Sequence, residues 1–104
     1  TNPVVVLVNG ASFSEAERFA EIMKQVPTVQ VVGETTGGGS AGGGDRFLLP
    51  NGQVFSFGTY DYRRYDGLPW ESVGVEPDVV VPQTPAHVAA GRDRQLEVAL
   101  RLLG

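Results

Sequence analysis

The chain has no cysteine, one lysine, one histidine and one tryptophan, and no apolar run long enough to cross a bilayer. Each scarcity removes a class of function. Without cysteine there is no disulfide, no thiolate metal ligand and no thiol nucleophile. A single histidine, His87, excludes a His-rich metal site, so neither a metal nor a cofactor is expected. Basic residues are few as well: 8 Lys and Arg stand against 12 Asp and Glu, for a net charge of -4. Nucleic acid and anionic membranes reward a basic surface, so neither is an expected partner. The one basic cluster, Arg63-Arg64, is flanked by Asp61 and Asp66.

What is present reads as one α/β domain over residues 1–104. Pro3–Val8, PVVVLV, is a β-branched run without alternation, which predicts a strand buried on both faces. Residues 14–26 follow with Ala16, Phe19, Ala20, Met23 and Val26 at helical spacing. Glu17, Arg18, Glu21 and Lys24 fall on the opposite, solvent side of that helix, which Pro27 ends. A second apolar strand, Val29–Glu34, completes a βαβ unit whose strands are expected to be parallel.

Residues 35–45 carry six glycines in eight positions. The stretch lacks the Lys-Ser/Thr ending of a phosphate-binding loop and opens no helix, so nucleotide binding is not expected. Residues 46–62 predict a β-hairpin around Pro50-Asn51-Gly52. A turn-rich loop, a short strand at Val79–Pro82 and an amphipathic helix from Asp93 to Leu103 close the chain.

Two serines lie between the first strand and its helix, in VNGASFSEAE. Ser12 with Glu15 and Ser14 with Glu17 both fit the S-x-x-E capping box, so either can be a helix-starting hydroxyl. Either can also be a nucleophile, because side chains at the carboxyl end of a parallel strand are exposed where α/β sites gather. The amides that follow can hold an oxyanion. The residues alone leave the two readings open.

VLVNGASFSEAERFAEIMK, VVGETTGGGSAGGG, FLLPNGQVFSFGTYDY and WESVGVEPDVVVP occur in this order, and together they resemble the catalytic core of the C-terminal processing (tail-specific) serine peptidases. The likeness is nearest their tricorn-like and interphotoreceptor-retinoid-binding-protein-like branch. It implies a crotonase/Clp-protease-like ββα core segment, forming the C-terminal part of a peptidase catalytic core. It also implies an upstream part of that core, and whatever PDZ domain accompanies it, before Thr1.

By that resemblance Ser12 is the nucleophile, Ser14 the helix-start hydroxyl and the Phe13 amide an oxyanion donor. Glu71 completes a Ser–His–Ser–Glu network whose histidine and second serine come from the upstream stretch, as does the other oxyanion donor. Gly37, Gly38 and Gly39 would pass beside bound peptide, where side chains would obstruct it. The Ser–Lys dyad of the tail-specific branch is not expected, since its lysine position falls on Gly39 and Lys24 reads as a solvated surface residue. His87, beyond the last strand, matches no catalytic position. Glu34 reads as the carboxylate that caps amides of the glycine-rich loop, and Glu76 and Asp78 as loop architecture around Pro77.

The function implied is a serine endopeptidase acting on extended polypeptides or C-terminal tails, with the isolated segment inactive. Its cellular place would be the bacterial envelope or the exterior. A non-catalytic binding or scaffold module of the same fold is the alternative, and an acyl-CoA-handling crotonase relative a third reading. An uncovered sheet edge predicts self-association or a swapped strand.

Overall fold

The computed structural model describes residues 2–39 and 44–104. Strand β1 (Val4–Val8), helix α1 (Glu15–Met23) and strand β2 (Val29–Gly33) form the expected βαβ unit. β1 and β2 run parallel, from Val4 opposite Val29 to Val8 opposite Gly33. The hairpin is built from β3 (Arg46–Leu48) and β4 (Val54–Ser56), with Phe47 opposite Phe55. Its second strand ends at Ser56 rather than continuing to Tyr62. Strand β5 (Val79–Val80) pairs parallel with β2, giving a sheet ordered β1-β2-β5. Helices α2 (Pro85–Ala89) and α3 (Arg94–Leu103) follow, and α3 packs on β1 and β2.

The core is small: Val8, Ala20, Val31 and Val75 form a buried cluster with Val6 packed against it. Burial on both faces belongs to β2, whose adjacent Val31 and Val32 are both at 0% exposure. Within these 104 residues β1 is covered less completely. β1 lies at the sheet edge, and its Val4 and Leu7 are 42% and 41% exposed. A β-branched run reports strand formation but not how many layers cover it.

Helix α1 corrects one expectation. Glu17 and Glu21 are buried, while Phe19 and Ile22 are exposed. Two irregular segments pack on this face of α1 and present backbone N–H groups, and a carboxylate is the side chain that can accept them. Glu21 Oε1 accepts from the Tyr65 amide at 3.0 Å, and Glu17 does the same for the glycine-rich loop. Lys24 is not free in solvent either: its ammonium donates to the Glu76 carbonyl and pairs with Asp78 at 3.4 Å. Asp78 in turn accepts from the Val31 amide at 2.8 Å, so the turn around Pro77 is tied to β2 as loop architecture requires.

The arginine cluster is neutralised by its flanking acids, Arg63 with Asp61 at 2.7 Å and Arg64 with Asp66 at 2.6 Å. His87 sits in the first turn of α2, where Nδ1 accepts from the Thr84 amide. Among the described residues no helix is long and apolar enough to cross a membrane.

Candidate active site

The loops leaving the carboxyl ends of β1 and β2 lie side by side, and the Trp70–Gly74 segment closes over them. The first loop is organised by Asn9. Its side chain accepts from the Ala11 amide at 2.9 Å, and its carbonyl accepts from the Ser12 amide at 2.8 Å. The Asn9 amide donates to Ser12 Oγ at 3.1 Å. This tight turn holds Ser12 half-buried at the end of the strand. Among the described residues no acceptor takes the Phe13 amide.

The two serines have separate structural tasks. Ser14 is the N-cap of α1, and its amide donates to Glu17 Oε2 at 3.0 Å, which realises the glutamate half of a capping box. Glu15, the corresponding partner of Ser12, instead faces solvent beside Arg18 at 3.6 Å. Ser14 adopts φ 57°, ψ -120°, a region that costs a non-glycine residue on the order of 1–3 kcal/mol.

Glu17 is the anchor of the site and the residue that sequence reasoning missed. It is 0% exposed. Its Oε1 accepts from Thr36 Oγ1 and from the Gly38 amide at 2.7 Å. Its Oε2 accepts from the amides of Gly39 and Ser14, both at 3.0 Å. Burial pushes the carboxyl upward, but these four donors together outweigh it and hold its pKa below the ordinary value. Glu17 therefore stays ionised, and it caps the glycine-rich loop in the part expected of Glu34. Glu34 instead accepts from Gln95 Nε2 of α3 at 3.3 Å. A signal for Glu17 was present: a glycine-rich loop leaves amides that need an acceptor, and Glu17 follows a strand in S-x-x-E spacing.

Thr36 extends the network. Besides donating to Glu17, its hydroxyl accepts from the Val75 amide at 2.7 Å, and its own amide donates to the Val75 carbonyl at 3.1 Å. The remaining links run through the glycines. Gly37 N–H donates to the Ser12 carbonyl at 2.9 Å, and the Gly38 carbonyl accepts from the Ser72 amide at 2.7 Å. Two consecutive glycines thus connect the Ser12 turn to the segment that carries Glu71. Ser72, next to Glu71, is the other non-glycine residue at positive φ (63°) among the described residues.

The glycines are required by close packing as well as by hydrogen bonding. A Cβ on Gly37 would meet the Gly10 carbonyl oxygen at 2.9 Å, and one on Gly38 would meet backbone nitrogens of Val73 and Gly74 at 3.0 Å. On Gly39 it would fall inside the Phe13 ring. Residues 40–43, the rest of the glycine-rich stretch, lie outside the described residues. Among the described residues no three His, Asp or Glu side chains converge to hold a metal ion.

Comparison with known proteins gives this arrangement a family. The model of peptidase family S41 matches residues 1–81. The chain is 38% identical over 102 residues to tricorn protease homolog 1 of Streptomyces coelicolor, covering 96% of this chain and 10% of that protein. The crystal structure of tricorn protease superposes with a TM-score of 0.83 at 24% identity, over 97% of this chain and 10% of that one, a likeness of fold. The photosystem II D1 C-terminal processing protease superposes with a TM-score of 0.62 at 29% identity, over 98% of this chain and 25% of that one. The chain thus spans about a tenth of the curated relative and up to a quarter of these solved ones. With a family match over most of its length and a fold that superposes on both tricorn and a C-terminal processing protease, the chain belongs to peptidase family S41.

Proposed function

We propose that this chain is the nucleophile-bearing segment of a serine endopeptidase, in which Ser12 attacks the peptide carbonyl and an acyl-enzyme forms on its Oγ. The observation that carries the reading is the turn at the end of β1. Ser12 Oγ is held by the Asn9 amide, and the next amide, that of Phe13, has no acceptor among the described residues. An unclaimed N–H beside a positioned hydroxyl is the arrangement that stabilises a developing oxyanion. Backbone strain at Ser14 and Ser72, the residues beside this turn and beside Glu71, supports the same place, because strain collects where geometry is functional.

In this reading Glu71 orients a histidine supplied by another part of the full-length polypeptide, and that histidine takes the Ser12 proton. Gly37, Gly38 and Gly39 border the path of an extended peptide substrate. The 104 residues alone supply neither base nor second oxyanion donor, so they are inactive in isolation. The exposed side chains of β1 are covered by the remainder of the core, and a strand-exchanged or self-associated form is expected when that remainder is missing.

The test is fluorophosphonate labelling of the full-length polypeptide followed by peptide mapping. Label on Ser12, absent in Ser12→Ala and retained in Ser14→Ala, is the expected result. Ser12→Ala should lower kcat by about ten-thousand-fold or more. Labelling that persists in Ser12→Ala ends the assignment, and a folded full-length protein that takes no label favours a binding module of the same fold.

A further inference from the structure

Glu71 occupies the second position of a tight turn. The Trp70 carbonyl accepts from the amides of Val73 and Gly74, at 3.0 and 2.8 Å, and Ser72 in the third position takes φ 63°. A turn this short moves as one body, so whatever fixes its flanks sets the direction in which the Glu71 carboxylate leaves the backbone. One flank is the glycine-rich loop, through the Ser72 amide and the Gly38 carbonyl at 2.7 Å.

The other flank is held by Arg64. This residue opens a turn of its own: its amide donates to the Leu68 carbonyl at 2.9 Å, and its carbonyl accepts from the Gly67 amide at 3.0 Å. From there its side chain, 9% exposed, reaches across to the Gly74 carbonyl, which accepts from Nη1 at 2.9 Å. Nη2 donates to Asp66 at 2.6 Å. A planar guanidinium held at two corners is a rigid strut, and Asp66 balances its charge, so what it passes to the Glu71 turn is chiefly position. Trp70 clamps the start of the same turn. It is 6% exposed and stacks on Tyr62 at 6.1 Å between centroids, and the Arg18 guanidinium of α1 stands 5.8 Å above the Tyr62 ring.

Stability alone would not select this brace. Among the described residues, two buried side-chain donors have no acceptor, Arg64 Nε and Trp70 Nε1, and both belong to it. Buried N–H groups are almost always paired, and exceptions call for a reason. Ser72 adds backbone strain within the turn itself. Unmet donors and strain thus gather around the one turn that carries Glu71.

We infer that Arg64 is a positioning residue for Glu71: by holding the Gly74 carbonyl it fixes the turn from which the carboxylate reaches its histidine. This rests on the assignment of Glu71 to the histidine-orienting role. Arg64 touches no reacting atom and acts only through that turn.

The test follows reaction of the full-length polypeptide with a fluorophosphonate, separated into the maximal rate kinact and the binding constant KI. Wild type, Arg64→Ala, Glu71→Gln and the double variant are compared, each checked for folding by circular dichroism. Arg64→Ala should lower kinact about tenfold to a hundredfold, because a small misplacement of an orienting group is costly, with KI unchanged within about twofold. In the Glu71→Gln background the same substitution should lower kinact by less than about threefold, since residues that act as a unit are not additive. A purely structural role would lower it by the same factor in both backgrounds. Arg64→Lys keeps the charge but cannot hold Gly74 and Asp66 together, and it gives the same comparison if the alanine variant does not fold. Unchanged kinact in Glu71→Gln would overturn the role of Glu71 and this inference with it. A loss in Glu71→Gln with none in the Arg64 variants, an equal loss in both backgrounds, or an effect confined to KI would overturn the inference alone.

Discussion

The Phe13 ring occupies the space that a side chain at Gly39 would need: a Cβ built there would lie 1.8 Å from Phe13 Cε2. By the resemblance drawn from the sequence, position 39 corresponds to the lysine of the tail-specific branch. In this chain a lysine could enter only by displacing Phe13, so the two residues are coupled. Because the ring is 61% exposed, it can swing outward, and the cost should be modest. Gly39→Ala is expected to destabilise by about 1 kcal/mol or less. Combined with Phe13→Ala, its cost should shrink. Urea unfolding of the two single variants and the double variant measures the coupling, and strict additivity would show that the ring is not the obstacle.

Gly74 makes the contrasting case. Its φ is +74°, and a Cβ there would meet the Thr36 carbonyl oxygen at 2.4 Å, a backbone atom that cannot rotate away. Gly74→Ala should cost at least 2 kcal/mol, clearly more than Gly39→Ala. A smaller melting-temperature drop for Gly74→Ala than for Gly39→Ala would contradict this packing.

Glu17 gives a pH signature. Its folded pKa is lowered by the donors of Thr36, Gly38, Gly39 and Ser14 against the opposing effect of burial. A depressed carboxyl contributes stability that is fully present above the unfolded pKa of 4.5 and is lost as pH falls through the lower folded value. Glu17→Gln keeps the shape but turns an NH2 toward N–H donors, so at pH 7 it should cost about 1–3 kcal/mol. Between pH 7 and 5 the gap to wild type should be constant, and below 4.5 it should narrow. Denaturant melts of both proteins across pH 3–7 read this directly, and a gap that widens on acidification would reverse the sign assigned to Glu17.

Strain at the N-cap predicts the effect of removing it. Ser14→Gly retains the amide that Glu17 accepts and releases the φ 57° penalty, so stability should hold or rise by up to about 1 kcal/mol. Ser14→Val, β-branched in the same conformation, should lose more than 1 kcal/mol. Thermal melts rank the variants; a valine variant as stable as glycine would place the strain elsewhere.

Asp78 and Lys24 are expected to differ although they form one ion pair. Asp78→Ala leaves the Val31 amide without its 2.8 Å acceptor and should cost about 1–2 kcal/mol. Lys24→Ala removes a partly exposed partner and should cost less than about 1 kcal/mol. Equal losses in chemical denaturation would mean that the ion pair, rather than the amide contact, holds the turn.

Much of the fold was legible because its signals are local. The β-branched runs mark β1 and β2, Asn51-Gly52 marks the hairpin turn, and the spacing of Leu96, Ala99 and Leu103 marks α3. The part that misread is α1, where sorting residues by polarity put Glu17 and Glu21 toward water. That sorting assumes an apolar partner, whereas α1 faces irregular backbone whose amides make a carboxylate the better inward residue. Ser72 at positive φ and the buried donors of Arg64 and Trp70 left no trace in periodicity, since they arise from chain segments meeting in space.

Because one carboxylate answers donors at the N-cap of α1, on the glycine-rich loop and, through Thr36, at Val75 in the loop that leads to β5, these segments form a single interlocked unit. A loop transplanted from a relative must therefore arrive with a matching acceptor at position 17. Sequence swaps among these peptidases should succeed as whole sets and fail when made one loop at a time.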